Sequence, residues 1–230
     1  MRPRREQFWN REYRNPLHLR LSQEPSADLT KFTRWLKRRF GEGALTRRTT
    51  ILDLGCGNGR NLIYLSKTFG CRGVGIDSSA EAIWQARLKV AGLPLTFEVR
   101  SITEPLPMEN GSVDFVLDMM TSHTLRVAER AGLRTEILRV LSPDGFLFLK
   151  GFLLEGDRHA ERLIRQYGAG EDNSYIHPTF GVYEHVWAED ELADFFGPFF
   201  EICKLEKSHK HLLRGRAFKR RTVSAYLKKV

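Results

Sequence analysis

Two periods alternate along this 230-residue chain. Short apolar, β-branched runs predict strands at 50–54, 73–76, 95–99, 113–117, 146–154, 199–205 and 222–227. Between them the apolar positions fall at helical spacing. Leu62, Ile63, Leu65 and Phe69 predict one helix, and Ile83, Ala86, Leu88 and Val90 a second, capped by Ser79. Val127, Leu133, Ile137, Leu138 and Leu141 predict a helix over 126–141, turned by S-P-D-G into the next strand. A short helix is expected over 189–196. Upstream, Ser26 precedes Leu29, Phe32, Thr33, Leu36 and Phe40, a helix closed by Gly41 and Gly43. Strand and helix in turn predict an α/β layout.

One stretch carries candidate chemistry. Residues 50–77 read T-I-L-D-L-G-C-G-N-G-R-N followed by a helix and V-G-I-D. Gly55, Gly57 and Gly59 allow a sharp turn and the approach of a ligand that meets no Cβ. The helix that follows aims its free N–H groups at that turn. A dinucleotide fingerprint needs a third glycine where this chain has Arg60. Asp53, before the first glycine, would repel a pyrophosphate but suits an ammonium group. Asp77, at the next strand end, can take a ribose diol.

Ammonium, ribose and no phosphate describe S-adenosylmethionine. These two motifs resemble those of the class I, seven-strand S-adenosylmethionine-dependent methyltransferases, and E-I-L-R-V-L-S-P-D-G-F-L-F-L resembles another segment of that family. The resemblance implies a Rossmann-like doubly wound α/β sheet of seven strands in order 3-2-1-4-5-7-6. The last strand is antiparallel, and helices cover both faces. It assigns cofactor contacts to Asp53, Gly55, Cys56, Gly57, Asn58, Gly59 and Asn61. Asp77, Ser78 and Asp118 join them. Where the family usually has an acidic residue for the adenine amino group, this chain has Ser101, with the backbone at Ile102 beside it.

The loop D-M-M-T-S-H at 118–123 follows the fourth strand, where open α/β sheets bind ligands. Methyl transfer aligns nucleophile, methyl carbon and sulfur and can require a base. His123 is a candidate base, since an unperturbed imidazole titrates near neutrality; its alternative is a polar loop residue. Asp118 could hold an amine or orient the cofactor. The loop has no D/N-P-P-Y/W, which counts against amino groups in nucleic acid as acceptors. Residues 155–187 hold Tyr167, Tyr175, His177, Pro178, Phe180, Tyr183, His185 and Trp187, read as a substrate lid or, in the rival reading, a satellite core. Tyr175 is taken as a catalytic candidate there. No metal is expected, because His177 and His185 have no completing carboxylates.

Composition bounds the rest. With 41% hydrophobic and 28% charged residues, the chain reads as a soluble globular protein. It has no membrane-spanning run, and no apolar run follows its basic start to make a signal peptide. Three scattered cysteines favour a reducing, cytoplasmic setting. Residues 1–44 are expected to form a basic lid and helix, with Phe8, Trp9 and Tyr13 over the cofactor or merely packed outside. Residues 45–230 are expected to form the methyltransferase domain, with 155–187 inserted. Of the net charge of +9, residues 1–48 hold +8 and residues 204–230 hold +9, around an acidic middle. Such ends bind polyanions or form a solvated surface. An end-segment Arg could also meet a carboxylate or phosphate on a small acceptor. The expected acceptor is a small molecule methylated on N or O; the alternatives are RNA or a protein side chain reached through the basic ends, or cofactor binding without turnover. Oligomeric state is left open.

Overall fold

The structure is a computed structural model and describes residues 4–18, 21–209, 211–213 and 216–230. In chain order, α1 (Arg4–Arg14) and α2 (Ala27–Phe40) lead into β1 (Thr50–Leu54), α3 (Arg60–Phe69), β2 (Arg72–Asp77), α4 (Ala80–Arg87) and β3 (Leu95–Val99). Next come β4 (Val113–Met119), α5 (Val127–Val140), β5 (Leu141–Phe152), α6 (Arg158–Tyr167) and the strands β6 (Ser174–Ile176) and β7 (Tyr183–His185). The chain ends with α7 (Glu189–Phe196), β8 (Phe200–Lys207), β9 (Leu212–Leu213), β10 (Arg216–Ala217) and β11 (Thr222–Lys229).

Seven strands form one sheet in order β3-β2-β1-β4-β5-β11-β8. Numbered within that sheet this is 3-2-1-4-5-7-6, and β11 runs antiparallel to both neighbours. The expected α/β order is therefore observed. Period-two alternation sends successive side chains to opposite layers. Ile51, Phe146, Phe148 and Tyr226 pack under Leu29, Phe32 and Leu36 of α2, Leu62 and Leu65 of α3, and Ile83 of α4. Leu52, Leu54, Leu147, Leu149, Ala225 and Leu227 pack under Leu133 and Ile137 of α5 and Leu192 and Phe196 of α7. Truncating a filled position such as Phe148, stacked at 4.7 Å on Phe32, would cost about 3–5 kcal/mol.

Several boundaries differ from expectation. The S-P-D-G turn is a bulge inside β5: Val113 pairs with Leu141 but Phe115 with Phe146, and Asp144 in between takes φ +62°. Ser26 caps α2 by position alone, since its side chain accepts no cap bond and its backbone N–H donates to Asn61 Oδ1 at 2.9 Å. Residues 155–187 contain a helix and a two-stranded ribbon rather than bare loop. Tyr175, Val186, Ala160 and Leu163 form a small cluster there, as the rival reading had it, while Trp187 enters the main core. Lys210 and Arg214 of the basic stretch lie outside the described residues. No helix among the described residues is long and apolar enough to cross a membrane.

Candidate functional site

The parallel strands β1, β2, β3 and β4 all end on one side of the sheet, where an apolar-lined cavity of about 440 Å³ opens. The turn after β1 forms one wall. Gly55 and Gly57 have φ of +62° and +55°, conformations that cost an L side chain about 1–2 kcal/mol. Space forbids a side chain as well: a Cβ at Gly55 would strike Thr121, and one at Gly57 the Tyr13 hydroxyl. Asp77 fixes this turn to β2. Its Oδ2 accepts from the Gly57 N–H at 2.9 Å and its Oδ1 from the Ser79 N–H at 2.8 Å. Lone pairs on both oxygens remain for a diol, and Asp77 lines the cavity.

Asp53 lies just below, fully buried, and its Oδ2 has no partner among the described residues. Burial first, and then the Asp77 carboxylate, raise its pKa to about 8. Cys56, Asn58, Asn61, Ser78, Ser101 and Ile102 complete this half of the lining. Asn58 and Asn61 also hold the N-terminal segment: Asn58 Nδ2 donates to the Ser22 carbonyl at 3.1 Å. Gly57, Gly59, Asp53 and Asp118 support the wall from behind, outside the lining itself.

The first helix closes the cavity. Phe8, Trp9 and Tyr13 of α1 line it, and Asn10 Oδ1 accepts from the Glu81 N–H at the start of α4 at 3.2 Å. The expected lid position of these aromatics is therefore occupied. Opposite stand Met119, Met120, Thr121, His123 and Thr124 after β4, with Phe152, Phe180, Val182 and Glu184. Met120 takes φ +65°, strain of the kind that gathers at ligand sites.

The catalytic candidates fare differently. His123 lines the cavity, but burial, with Arg220, His185 and Arg130 nearby, lowers its pKa to about 3. It is a neutral imidazole with Nδ1 unpartnered, set edge-on to Phe152 at 5.1 Å, so the near-neutral titration that suggested a base is lost in the fold. Asp118 is buried and accepts from the Ser122 N–H at 3.0 Å; burial raises it to about 6. It shapes the loop. Tyr175 is a correction: it is fully buried behind the lining, donating to Glu184 and accepting from Arg220 Nη1 at 2.5 Å. Of the aromatics singled out in 155–187, Phe180 is the one in the lining.

Sequence reasoning missed Glu184, Phe152 and Arg220. Asp157 Oδ2 accepts from Arg220 Nε at 2.9 Å and from the Arg221 N–H at 2.9 Å, while its Oδ1 caps α6 through His159 and Ala160. The Arg220 guanidinium lies 4.1 Å from the Phe152 ring centroid. Basic residues from the C-terminal stretch thus brace the site from inside. The charge run of the sequence gave no sign of that.

A doubly wound sheet whose glycine turn and β2-end carboxylate meet in one cavity at the strand ends has the layout of an α/β nucleotide- or nucleoside-binding protein. The comparisons agree. Residues 51–145 match the family described as methyltransferase domain. Over 157 residues, 67% of this chain and 68% of the relative, it is 30% identical to a protein of Encephalitozoon cuniculi named as a methyltransferase. It is 31% identical over 135 residues to the glycine/sarcosine/dimethylglycine N-methyltransferase of Actinopolyspora halophila, 57% of this chain and 24% of that enzyme. A solved S-adenosylmethionine-dependent methyltransferase from Methanosarcina mazei superposes with a TM-score of 0.67 at 25% identity, over 81% of this chain and 94% of that one. The chain belongs to the S-adenosylmethionine-dependent class I methyltransferases, and S-adenosylmethionine is its cofactor. It spans about half the length of curated relatives in Haemophilus influenzae and Synechocystis, 51% and 48%.

Proposed function

We propose that this chain transfers the methyl group of S-adenosylmethionine to a small molecule bound between α1 and the 118–124 loop. When bound, the cofactor supplies an electrophilic methyl carbon on a sulfonium. Asp77 would hold the ribose and Ser101 and Ile102 the adenine edge, while buried Asp53 would act on the ammonium end from behind the glycine turn. Thr121, His123 and Thr124 would orient the acceptor, and the aromatic mouth would exclude water. Neutral His123 offers a hydrogen bond and no charge, which keeps a nucleophile's lone pair free.

One observation carries the small-molecule reading: the residues after β4 share a single cavity of about 440 Å³ with Phe8, Trp9 and Phe180, a volume suited to small ligands. In the basic ends, Arg220 is taken up by Asp157 inside the fold, and Lys31, Lys37, Lys207 and Lys228 pair with Asp28, Glu42, Glu189 and Asp144. Both ends keep an excess of positive charge, so RNA is the rival acceptor in the test. The N-methyltransferase of Actinopolyspora halophila, by its name, acts on small amino acids, which adds support by analogy.

The test incubates the protein and methyl-labelled S-adenosylmethionine with three fractions of a cell extract: metabolites under about 1 kDa, total RNA and protein, at about 100 mM salt. Label is expected in the metabolite fraction. Label confined to RNA or protein would overturn the reading.

A further inference from the structure

Glu184 is the acidic side chain of the cavity's acceptor half. It sits at the centre of β7, directly across the ribbon from Tyr175. The neighbouring Tyr183 and His185 turn the other way: Tyr183 donates to Glu171 at 2.6 Å, and His185 lies 2.9 Å from Glu191. Glu184 alone of the three lines the cavity. Its Oε2 accepts from the Tyr175 hydroxyl and lies 3.7 Å from Arg220 Nη1. That guanidinium is already committed to Asp157 at 2.9 Å. Two carboxylates share one cation, and Glu184 is the one on the cavity wall.

The rest of this wall suits the same ligand. Phe8 and Phe180 pack with ring centroids 5.1 Å apart, Trp9 joins Phe8 at 5.1 Å, and all three line the cavity. The one cationic side chain in the lining, among the described residues, is Arg60, and it donates from the glycine turn to the Glu24 carbonyl at 3.0 Å. An anionic acceptor would meet the Glu184 carboxylate, with the Arg220 guanidinium outside the lining and engaged by Asp157. An alkylammonium would meet a carboxylate and ring faces, both favourable to it.

Resting on the small-molecule reading above, we propose that the acceptor is an amine, held by the Glu184 carboxylate against the rings of Phe8, Trp9 and Phe180. The bound ammonium first gives one proton to the Glu184 carboxylate, which passes it to water. The nitrogen lone pair so freed forms the N–C bond to the methyl carbon, leaving a methylated ammonium. The C–S bond breaks, and its electron pair stays on sulfur as a thioether. Burial pushes the Glu184 carboxyl up from its ordinary range, which favours its holding that proton.

The test is calorimetric titration of the protein, loaded with S-adenosylhomocysteine, with phenethylamine, phenethyl alcohol and phenylacetic acid. The amine should bind at least about tenfold more tightly than the other two. In Glu184→Gln that preference should shrink to about threefold or less, with S-adenosylhomocysteine affinity unchanged. If this variant fails to fold, the wild-type preference decides alone. An acid or alcohol that binds as tightly as the amine would overturn the inference, as would no amine binding up to about 10 mM. Label passing to acids or alcohols in the fractionation would sink the amine assignment and leave the small-molecule reading standing. Label in RNA alone would sink both.

Discussion

Asp53 lies under the glycine turn with a pKa of about 8, raised by burial and by Asp77. Its ordinary value is 3.8. In the empty protein at pH 7 the folded chain therefore holds a proton that the unfolded chain releases. Stability from this group is fullest below about pH 4 and declines as pH rises to about 8. A docked ammonium reverses the preference and expels the proton. Binding of S-adenosylhomocysteine at pH 7 should therefore release up to one proton, and measured enthalpies should differ between phosphate and Tris by that proton's buffer heat. Buffer-independent enthalpies at pH 7 would show that no cation meets Asp53. Residue identities such as Asp53, Gly57 and Asp77 were legible because a turn this tight leaves few alternatives. His123 was legible in place and not in protonation state, since its low pKa comes first from burial and then from Arg220, His185 and Arg130, which the fold brings around it. Glu184 was not legible. Three residues of strand show no alternation long enough to say which face meets the cavity.

At the scale of elements, the ribbon of β6 and β7 depends on Asp157. Burial pulls its pKa up, but the Arg220 guanidinium and the N–H groups of Arg221 and Ala160 hold it below the usual carboxylate range. Its stabilisation is present above that range and lost as pH falls through the lowered value. Asp157→Ala leaves Arg220 beside Tyr175 with only the more distant Glu184 carboxylate, and orphans the Arg221 N–H and the start of α6; it should cost about 3 kcal/mol by urea denaturation at pH 7. A cost below about 1 kcal/mol would mean that the ribbon holds itself. The long strands and amphipathic helices were readable because period and length agree in them. The 155–187 region was not resolved into elements, though Asp157 with Ala160, Leu163 and Ile164 is a helix signal that the density of aromatics obscured.

For the whole molecule, the order 3-2-1-4-5-7-6 was legible through family resemblance, and two-layer packing on the sheet explains it. The basic ends were legible as charge, while the internal pairing of Arg220 with Asp157 was not, because a formal count cannot see which cations pair inside the fold. What the fold achieves is convergence: Asp77 at the end of β2 and Ser101 just past β3 meet in the lining, Asp53 of β1 is buried behind it, and α1 closes the cavity. The central claim is that this convergence holds S-adenosylmethionine, with Asp77 on the ribose. Calorimetric titration of wild type and Asp77→Asn with S-adenosylhomocysteine tests it most directly. A carboxylate hydrogen bond is worth about 1.5–3 kcal/mol, so the variant should bind at least about tenfold more weakly at one-to-one stoichiometry. Binding within about threefold of wild type, or no binding by the wild type, would contradict the account.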